Sequence, residues 1–371
     1  MPFVLKVITG IINQQGLPVS LSSHRVGEVS LNLTRVAVQV GNMVARLKAG
    51  SQERQKRLKY ALDVFQASDF GHLKVKIASS RTTWLVAGLV DGLDSHYKPP
   101  PTPNEFTVLA TDGSHIDVDR HRSTKCYLIN IGSVVLHYGD CPSATLDSFP
   151  SLYSGDEDLV IAPTGAKGRE QLIEGTLLGI KRSVDECHQL AKLASELPPN
   201  SSSLALLDGS LILWGLEAYP EFVAEALLDK GFLSYLDDIK RLGNDKRLAI
   251  ASYISFPRST DVVNALRVAV CPCEPLDTDR HCPDCETRDC DKMAGVQDRE
   301  LFANILCQGE RSALFTSQSS IVKKRYREHQ VYFFYLRVDD EIARVEVPRW
   351  VARDETLLNL THALVLDQCQ R

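Results

Sequence analysis

The spacing of apolar residues changes about 100 residues into the chain. From Ser23 to Ala67 they return every three or four positions, with Arg and Lys between them, which predicts a long helix. The stretch Lys98–Asn104 is rich in proline and cannot continue a helix. We therefore expect an N-terminal helical region over residues 1–100 and a second domain over residues 101–371. The long helix is either an arm that contacts another subunit or an ordinary packing helix.

The second domain alternates short apolar runs with segments of helical periodicity. Strands are predicted at Phe106–Thr111, Lys125–Tyr138, Leu159–Ala162, Leu204–Leu207, Leu248–Ile254, Gln330–Val338 and Glu341–Val347. Helices are predicted at Thr164–Leu197, Glu221–Asp229, Phe232–Leu242, Ser259–Val268, Asp298–Cys307 and Thr356–Gln368. Strands and helices mixed in this way predict an α/β fold.

Composition narrows the class of protein. The chain has 371 residues, of which 44% are hydrophobic and 24% charged, with a formal net charge of -5. This is an average soluble profile, so a protein of this kind that handled DNA would have to concentrate its basic residues locally. No run of about 18 apolar residues occurs, and the N-terminus has no leader pattern. We expect a cytoplasmic protein without a membrane span.

Two acidic motifs share one design. Asp112-Gly-Ser follows the first apolar strand, and Asp208-Gly-Ser follows another. A single Asp-Gly is usually a tight turn, but two copies that each end a buried strand would place two carboxylates close together. Such a pair needs a cation between its charges, and oxygen ligands favour Mg²⁺ or Mn²⁺. This chemistry suits hydrolysis of a phosphodiester bond.

A third carboxylate would complete the site. Glu186 lies on the predicted helix before the second Asp strand, and this helix can aim it at the strand ends. Asp185 and Glu170 are less favoured alternatives. The predicted catalytic and metal-binding set is therefore Asp112, Glu186 and Asp208.

The order of several segments resembles the NurA nuclease family. The resemblance begins at the first Asp-Gly-Ser and covers about Phe106 to Gln368. Its further segments are Arg182–Glu186, Leu207–Trp214, Ala251–Ser259, Gly309–Phe315 and Ala343–Val351. No one of these is specific, but the ordered set is.

The resemblance implies an RNase H-like core, namely a mixed β-sheet flanked by helices. It implies a manganese-dependent nuclease that acts on DNA ends from 5′ to 3′, with endonuclease action as a second mode. It also implies a homodimer, and a partner in end resection and repair, the HerA hexameric ATPase. The family's metal carboxylates fall on Asp112, Glu186 and Asp208.

One family feature has no counterpart here. The resemblance implies a Tyr and a His that complete the catalytic centre in a segment beyond Gln368, and this sequence ends at Arg371. His362 stands before that place and is not a convincing substitute. Either the sequence is truncated, or the alternative function applies, which is a catalytically weakened DNA-binding or scaffold subunit of the same ATPase complex.

Five of the ten cysteines fall between residues 271 and 290, which indicates a metal site rather than a disulfide framework. The Cys-x-x-Cys at Cys282 and Cys285 favours structural Zn²⁺. We expect ligands Cys273, Cys282, Cys285 and Cys290, with Cys271 or His281 as substitutes, in a Cys-rich insertion at about 270–292. An iron–sulfur cluster or a loop of free thiols are the alternatives.

Candidate DNA contacts are the basic patch Lys323, Lys324 and Arg325, and the pair Tyr253 and Arg258. Basic runs are more often solvated surfaces, so this assignment is open. The chain has no Gly-rich phosphate loop of the Walker type, so any motor must be another polypeptide.

Overall fold

The computed structural model describes residues 33–117, 125–163, 169–243 and 246–371. These residues form two compact units. The first comprises Ala87–Arg258 and Phe302–Arg371, and the second comprises the described residues up to Val86 together with Ser259–Leu301. The boundary predicted near residue 100 stays a prediction.

The first unit is built on an eleven-stranded sheet within the described residues. Its strands are β1 (Gly88–Leu89), β2 (His96–Tyr97), β3 (Phe106–Asp117), β4 (Tyr127–Tyr138), β5 (Ser143–Tyr153), β8 (Ser202–Asp208), β9 (Arg247–Ile254), β10 (Arg311–Ser312), β11 (Phe315–Thr316), β12 (Val331–Val338) and β13 (Glu341–Pro348). The short strands β6 (Val160–Ile161) and β7 (Gln171–Leu172) pair separately.

Five neighbouring strands set the fold class. They lie in the order β5-β4-β3-β8-β9. β4 is antiparallel to β3 and β5, whereas β8 is parallel to both β3 and β9. If the five strands are numbered by their order in the chain, they lie in the order 3-2-1-4-5, and only strand 2, which is β4, is antiparallel to its neighbours. This is the arrangement of an RNase H-like core. The predicted α/β fold, a large mixed sheet flanked by helices, is confirmed.

Helices follow the predicted order. They are α1 (Leu33–Ala67), α2 (Phe70–Ser79), α3 (Thr176–Ser195), α4 (Glu221–Ala224), α5 (Leu233–Leu242), α6 (Asp261–Val270), α7 (Thr278–His281), α8 (Asp298–Ala303), α9 (Ser320–Arg325), α10 (Arg349–Ala352) and α11 (Glu355–Gln370). A π-helical segment, Glu225–Phe232, joins α4 to α5. No helix in the described ranges is long and apolar enough to cross a membrane.

The apolar pattern located the central strands because they are buried on both faces. The middle residues of β8 and β9 are all buried, as expected for parallel strands covered by helices. β5 was missed because most of its residues are exposed, so its sequence carries little apolar signal. α3 begins twelve residues later than predicted, and residues 171–172 form β7 instead. The predicted helix starts at Ser23 and Thr164 lie outside the described residues.

Candidate active site

The two Asp-Gly-Ser motifs meet at one level of the sheet. β3 and β8 pair in parallel, and their last registered pair is Thr111 with Leu207. The next residue on each strand is Asp112 and Asp208, so the two acids lie side by side on adjacent strands. Adjacent strands are about 4.8 Å apart. The predicted juxtaposition of these two carboxylates is therefore a feature of the backbone register.

Glu186 reaches the same place from α3. Thr111 on β3 donates a hydrogen bond from its hydroxyl to the Glu186 carbonyl oxygen at 3.0 Å, which ties the helix to the strand. Glu186 is only 3% exposed. The acidic groups are close enough that Asp112 and Asp208 both raise the pKa of Glu186. The structure thus brings the three predicted acids together.

Arg182 is the cation that faces this cluster. It lies one helical turn before Glu186, and its Nε stands 3.0 Å from Glu186 Oε1. Neither atom has a hydrogen bond of good geometry, although both are buried. The pair is therefore an ion pair by distance without an aligned hydrogen bond. Glu186 Oε1 is therefore a buried acceptor without an aligned hydrogen bond.

Burial raises the pKa of all three carboxyls. For Glu186 it raises the pKa from 4.5 to about 8, with Arg182 acting in the opposite direction. For Asp112, burial and then the Asp208 charge raise the pKa. Asp208 is an exposed residue, yet enough protein surrounds its carboxyl that desolvation raises its pKa too. The cluster therefore favours either bound protons or a bound cation.

Gly113 allows this close approach. A Cβ at this position would stand 2.6 Å from Glu186 Oε1 and 2.7 Å from Arg182 Cγ, both below normal contact. The glycine after the first Asp is thus needed for space beside Glu186. The glycine after the second Asp serves a turn instead, because Gly209 has a φ of 88°.

The loop after Asp208 is held by a strand from elsewhere in the sheet. Glu346 on β13 is buried, and its Oε2 accepts hydrogen bonds from the Ser210 hydroxyl at 2.8 Å and the Leu211 amide at 2.9 Å. Its Oε1 accepts from Arg344 Nε at 2.9 Å. Glu346 therefore acts on the turn that follows Asp208 and is a positioning residue.

Tyr326 fixes the next part of this loop. Its buried hydroxyl donates to the Leu211 carbonyl at 3.0 Å and accepts from the Leu213 amide at 2.9 Å. Just beyond, Trp214 is 48% exposed, and its indole N–H donates to Ser210 Oγ at 3.2 Å. The indole is thus held beside the Asp208 turn with its ring facing solvent in part.

The alternative acids lie elsewhere. Asp185 pairs with Lys181 at 3.1 Å and lies within 3.5 Å of the Tyr153 hydroxyl, so it is engaged by other partners than Asp112 and Asp208. Glu170 is exposed on the segment before β7. Glu186 remains the better third carboxylate.

The candidate DNA contacts divide by exposure. Tyr253 is 1% exposed, so its ring is not available at the surface, whereas Arg258 is exposed. Arg325 forms ion pairs with Glu221 and Asp229, which neutralise its charge. Lys323 and Lys324 are exposed and remain available to a phosphate backbone.

The donor chemistry of the acidic cluster fits a divalent cation. Its carboxylate oxygens are hard ligands, Glu186 Oε1 is buried without a hydrogen bond, and Gly113 leaves room beside it. Across the described ranges, no three His, Cys, Asp or Glu side chains are placed to hold an ion as they stand. A cation would have to compete with Arg182 for Glu186 and draw the acids inward.

Sequence reasoning missed the residues that act on the acids. Arg182 stands four residues before Glu186, and this helical spacing was the available signal. Tyr326 lies more than 100 residues from the loop that it holds, so no local pattern indicates it. Glu346 could be placed on a late strand, with Arg344 as a partner, but its contact with the turn after Asp208 could not be read from the sequence. Trp214 ends the segment Leu207–Trp214 that resembles the NurA family, but the exposure of its ring could not be read from the sequence.

Comparison with known proteins supports a family assignment. A family profile described as the NurA domain matches residues 106–367. No curated protein matches the chain.

Two solved structures show weak likeness. The prototype foamy virus protease–reverse transcriptase is 14% identical with a TM-score of 0.20, over 41% of this chain and 18% of that one. The Argonaute of Aquifex aeolicus is 13% identical with a TM-score of 0.23, over 71% and 25% respectively. The chain spans a quarter or less of each, and neither likeness carries an argument at these scores.

Replacing Gly113 with Ala should disturb the acidic cluster. The added methyl group must displace Glu186 and Arg182, so we expect the free energy of unfolding to fall by about 1–3 kcal/mol in chemical denaturation. The matched control is Gly179→Ala on α3, where a Cβ meets nothing within 4 Å. The free energy of unfolding of this control variant should rise by about 0.5–1 kcal/mol. Equal effects of the two changes would contradict the close approach at Gly113.

Replacing Glu186 with Gln should change how stability depends on pH in chelator-treated protein. The folded state holds the Glu186 proton up to a pKa of about 8, against an ordinary 4.5. The unfolded chain therefore loses this proton first, and the wild type loses stability as pH rises between these values. Gln stays neutral, so the variant should be more stable than wild type at pH 8.5, on the order of 2 kcal/mol.

The two proteins should converge near pH 4. Urea denaturation at several pH values measures this difference, with the exposed Glu196→Gln at the end of α3 as control. A pH-independent difference between wild type and Glu186→Gln would mean that Glu186 has the same pKa in the folded and the unfolded state.

Proposed function

The chain belongs to the NurA domain family, a nuclease family, and from this premise we propose that it is a divalent-metal-dependent DNA nuclease centred on Asp112, Glu186 and Asp208. The observation that carries the proposal is the level register of Asp112 and Asp208 on parallel strands, with Glu186 buried beside them. Three converging acids at the end of a sheet cost stability through mutual repulsion unless protons or a cation offset their charge.

Asp112, Glu186 and Asp208 would hold Mn²⁺ or Mg²⁺. When bound, the cation supplies an activated water and neutralises charge on the phosphate. The acids themselves set the place of attack, because β3 and β8 fix their backbone positions. Glu346 and Tyr326 hold the turn after Asp208, so that this carboxyl keeps its orientation while substrate binds.

Arg182 has a second part in this proposal. Its guanidinium faces Glu186 in the absence of a cation and lowers the electrostatic cost of the cluster. Once released from Glu186, it stands near the acids as a donor for a phosphate oxygen. Arginine suits this exchange because its planar group binds carboxylate and phosphate in the same way.

Trp214 is the proposed contact for a DNA base. Its N–H is used by Ser210, so the exposed ring face is what it offers a ligand. Bases of single-stranded DNA stack on such rings without regard to sequence. The exposed Lys323 and Lys324 would bind the phosphate backbone.

The cellular role that we propose follows the family. It is 5′ to 3′ degradation of DNA ends in resection and repair, with endonuclease action as a second mode, by a homodimer that works with a HerA-type hexameric ATPase. The sequence supports a separate motor, since it contains no Walker-type phosphate loop.

Asp208→Asn should abolish the nuclease activity. The change removes a charge that the cation needs and keeps the size of the side chain, so we expect degradation of linear DNA in Mn²⁺ to fall roughly a hundredfold or more. Release of acid-soluble nucleotides measures it. The control is Asp147→Asn, an exposed residue on β5. Undiminished cleavage by Asp208→Asn would remove this residue from the mechanism.

A wild type that binds DNA without cleaving it would favour the scaffold alternative.

Trp214→Ala should weaken binding of single-stranded DNA. Loss of one stacking platform should raise Kd about tenfold, whereas Trp214→Phe should keep most of the affinity. Fluorescence anisotropy of a labelled oligonucleotide in chelator measures binding apart from cleavage. Leu152→Ala, an exposed apolar residue on β5, is the matched control. An unchanged Kd for Trp214→Ala would place the DNA path elsewhere.

A further inference from the structure

The cysteine-rich segment belongs to the second compact unit and is tied down within it. Lys76 on α2 donates from Nζ to the Cys271 carbonyl at 2.6 Å. Arg267 on α6 donates from Nε to the Cys290 carbonyl at 3.3 Å. Arg81 pairs with the segment between these points through the Leu276 and Thr278 backbones. Both ends of the segment are thus held, and the thiols do not sit on a loose loop.

Three other thiols lie near Cys282. Cys290, Cys271 and Cys285 all act electrostatically on the Cys282 thiol, and Cys271 also acts on Cys290. All ten cysteines, each within the described residues, are free thiols. Thiols gathered around Cys282 without a disulfide are an arrangement that a soft cation would stabilise.

The Cys282-Pro-Asp-Cys285 turn has the shape of a metal-binding turn. The Cys285 amide donates to the Cys282 carbonyl at 3.4 Å, which closes the turn. The Cys285 sulfur then accepts hydrogen bonds from the backbones of Thr287 and Arg288. Arg288 adopts a left-handed backbone, with φ of 43°, at this point. Amide donors aimed at a sulfur stabilise a thiolate, the form in which cysteine binds metal.

We propose that Cys271, Cys282, Cys285 and Cys290 form a structural Zn²⁺ site in the second unit. The thiols are gathered but not at ligand distance, because no three side chains of the described chain are placed to hold an ion as they stand. Binding would draw them inward and release their protons. Four protein ligands leave no open position, so the ion staples the segment and takes no part in catalysis.

This set differs from the one favoured by sequence alone. Cys271 acts electrostatically on the thiols of both Cys282 and Cys290, whereas the thiol on which Cys273 acts is that of Cys271. His281 accepts the Asp277 amide on Nδ1 at 3.1 Å, so this nitrogen is already used within its own turn. Cys271 therefore replaces Cys273 as the fourth ligand.

The test is the metal content of the full chain and of single Cys→Ser variants. Protein purified with Zn²⁺ under reducing conditions should hold about one zinc ion per chain by mass spectrometry. Cys282→Ser and Cys271→Ser should lose it, whereas Cys273→Ser and the exposed Cys307→Ser should keep it. Chelation should lower the Tm of wild type and leave that of Cys282→Ser unchanged.

Co²⁺ replacement in the wild-type chain makes the result independent of variant folding. The expected spectrum has the visible bands of a tetrahedral thiolate site, with intensity that saturates at one ion per chain. Wild type without zinc, or with iron and acid-labile sulfide in its place, would overturn the proposal. So would loss of zinc in Cys273→Ser with retention in Cys271→Ser. None of these measurements depends on nuclease activity.

Discussion

The parallel pairing of β3 with β8 is the interaction on which the rest of the site depends. It sets Thr111 beside Leu207, and so delivers Asp112 and Asp208 to one edge at the spacing of neighbouring strands. A slip of one residue in either strand would turn one carboxyl to the other face. The other features of the site surround this fixed pair of like charges or hold it in place. α3 adds Glu186 and Arg182, the glycine on β3 leaves space, and β13 clamps the turn that follows Asp208.

Much of this was open to sequence reasoning, for definite physical reasons. β8 and β9 are buried on both faces and therefore read as unbroken apolar runs, and α11 lies within two residues of its predicted bounds. The two acidic motifs were visible because each follows such a run. β5 was invisible, since an exposed strand has no apolar pattern to reveal it. Its absence from the prediction hid the strand order that defines the core.

Other parts of the site depend on long-range contacts that a single sequence does not encode locally. Glu346 meets Ser210 across 136 positions, and Tyr326 meets Leu213 across 113. Each is a buried polar group that is satisfied only in the finished fold. The choice between Cys271 and Cys273 is of the same kind. Spacing allows either, and our proposal of Cys271 depends on its electrostatic effect on the Cys282 thiol in the folded chain.

The second compact unit is assembled from two stretches of chain that lie far apart in the sequence, one before Ala87 and one after Arg258. A ribosome delivers the first stretch long before the second, because the residues of the central strands emerge between them. The helices of the first stretch therefore cannot make their apolar contacts with the second stretch until the sheet residues between them have been synthesised. Completion of this unit is a late event in biosynthesis, and a nascent chain released before residue 301 would lack it.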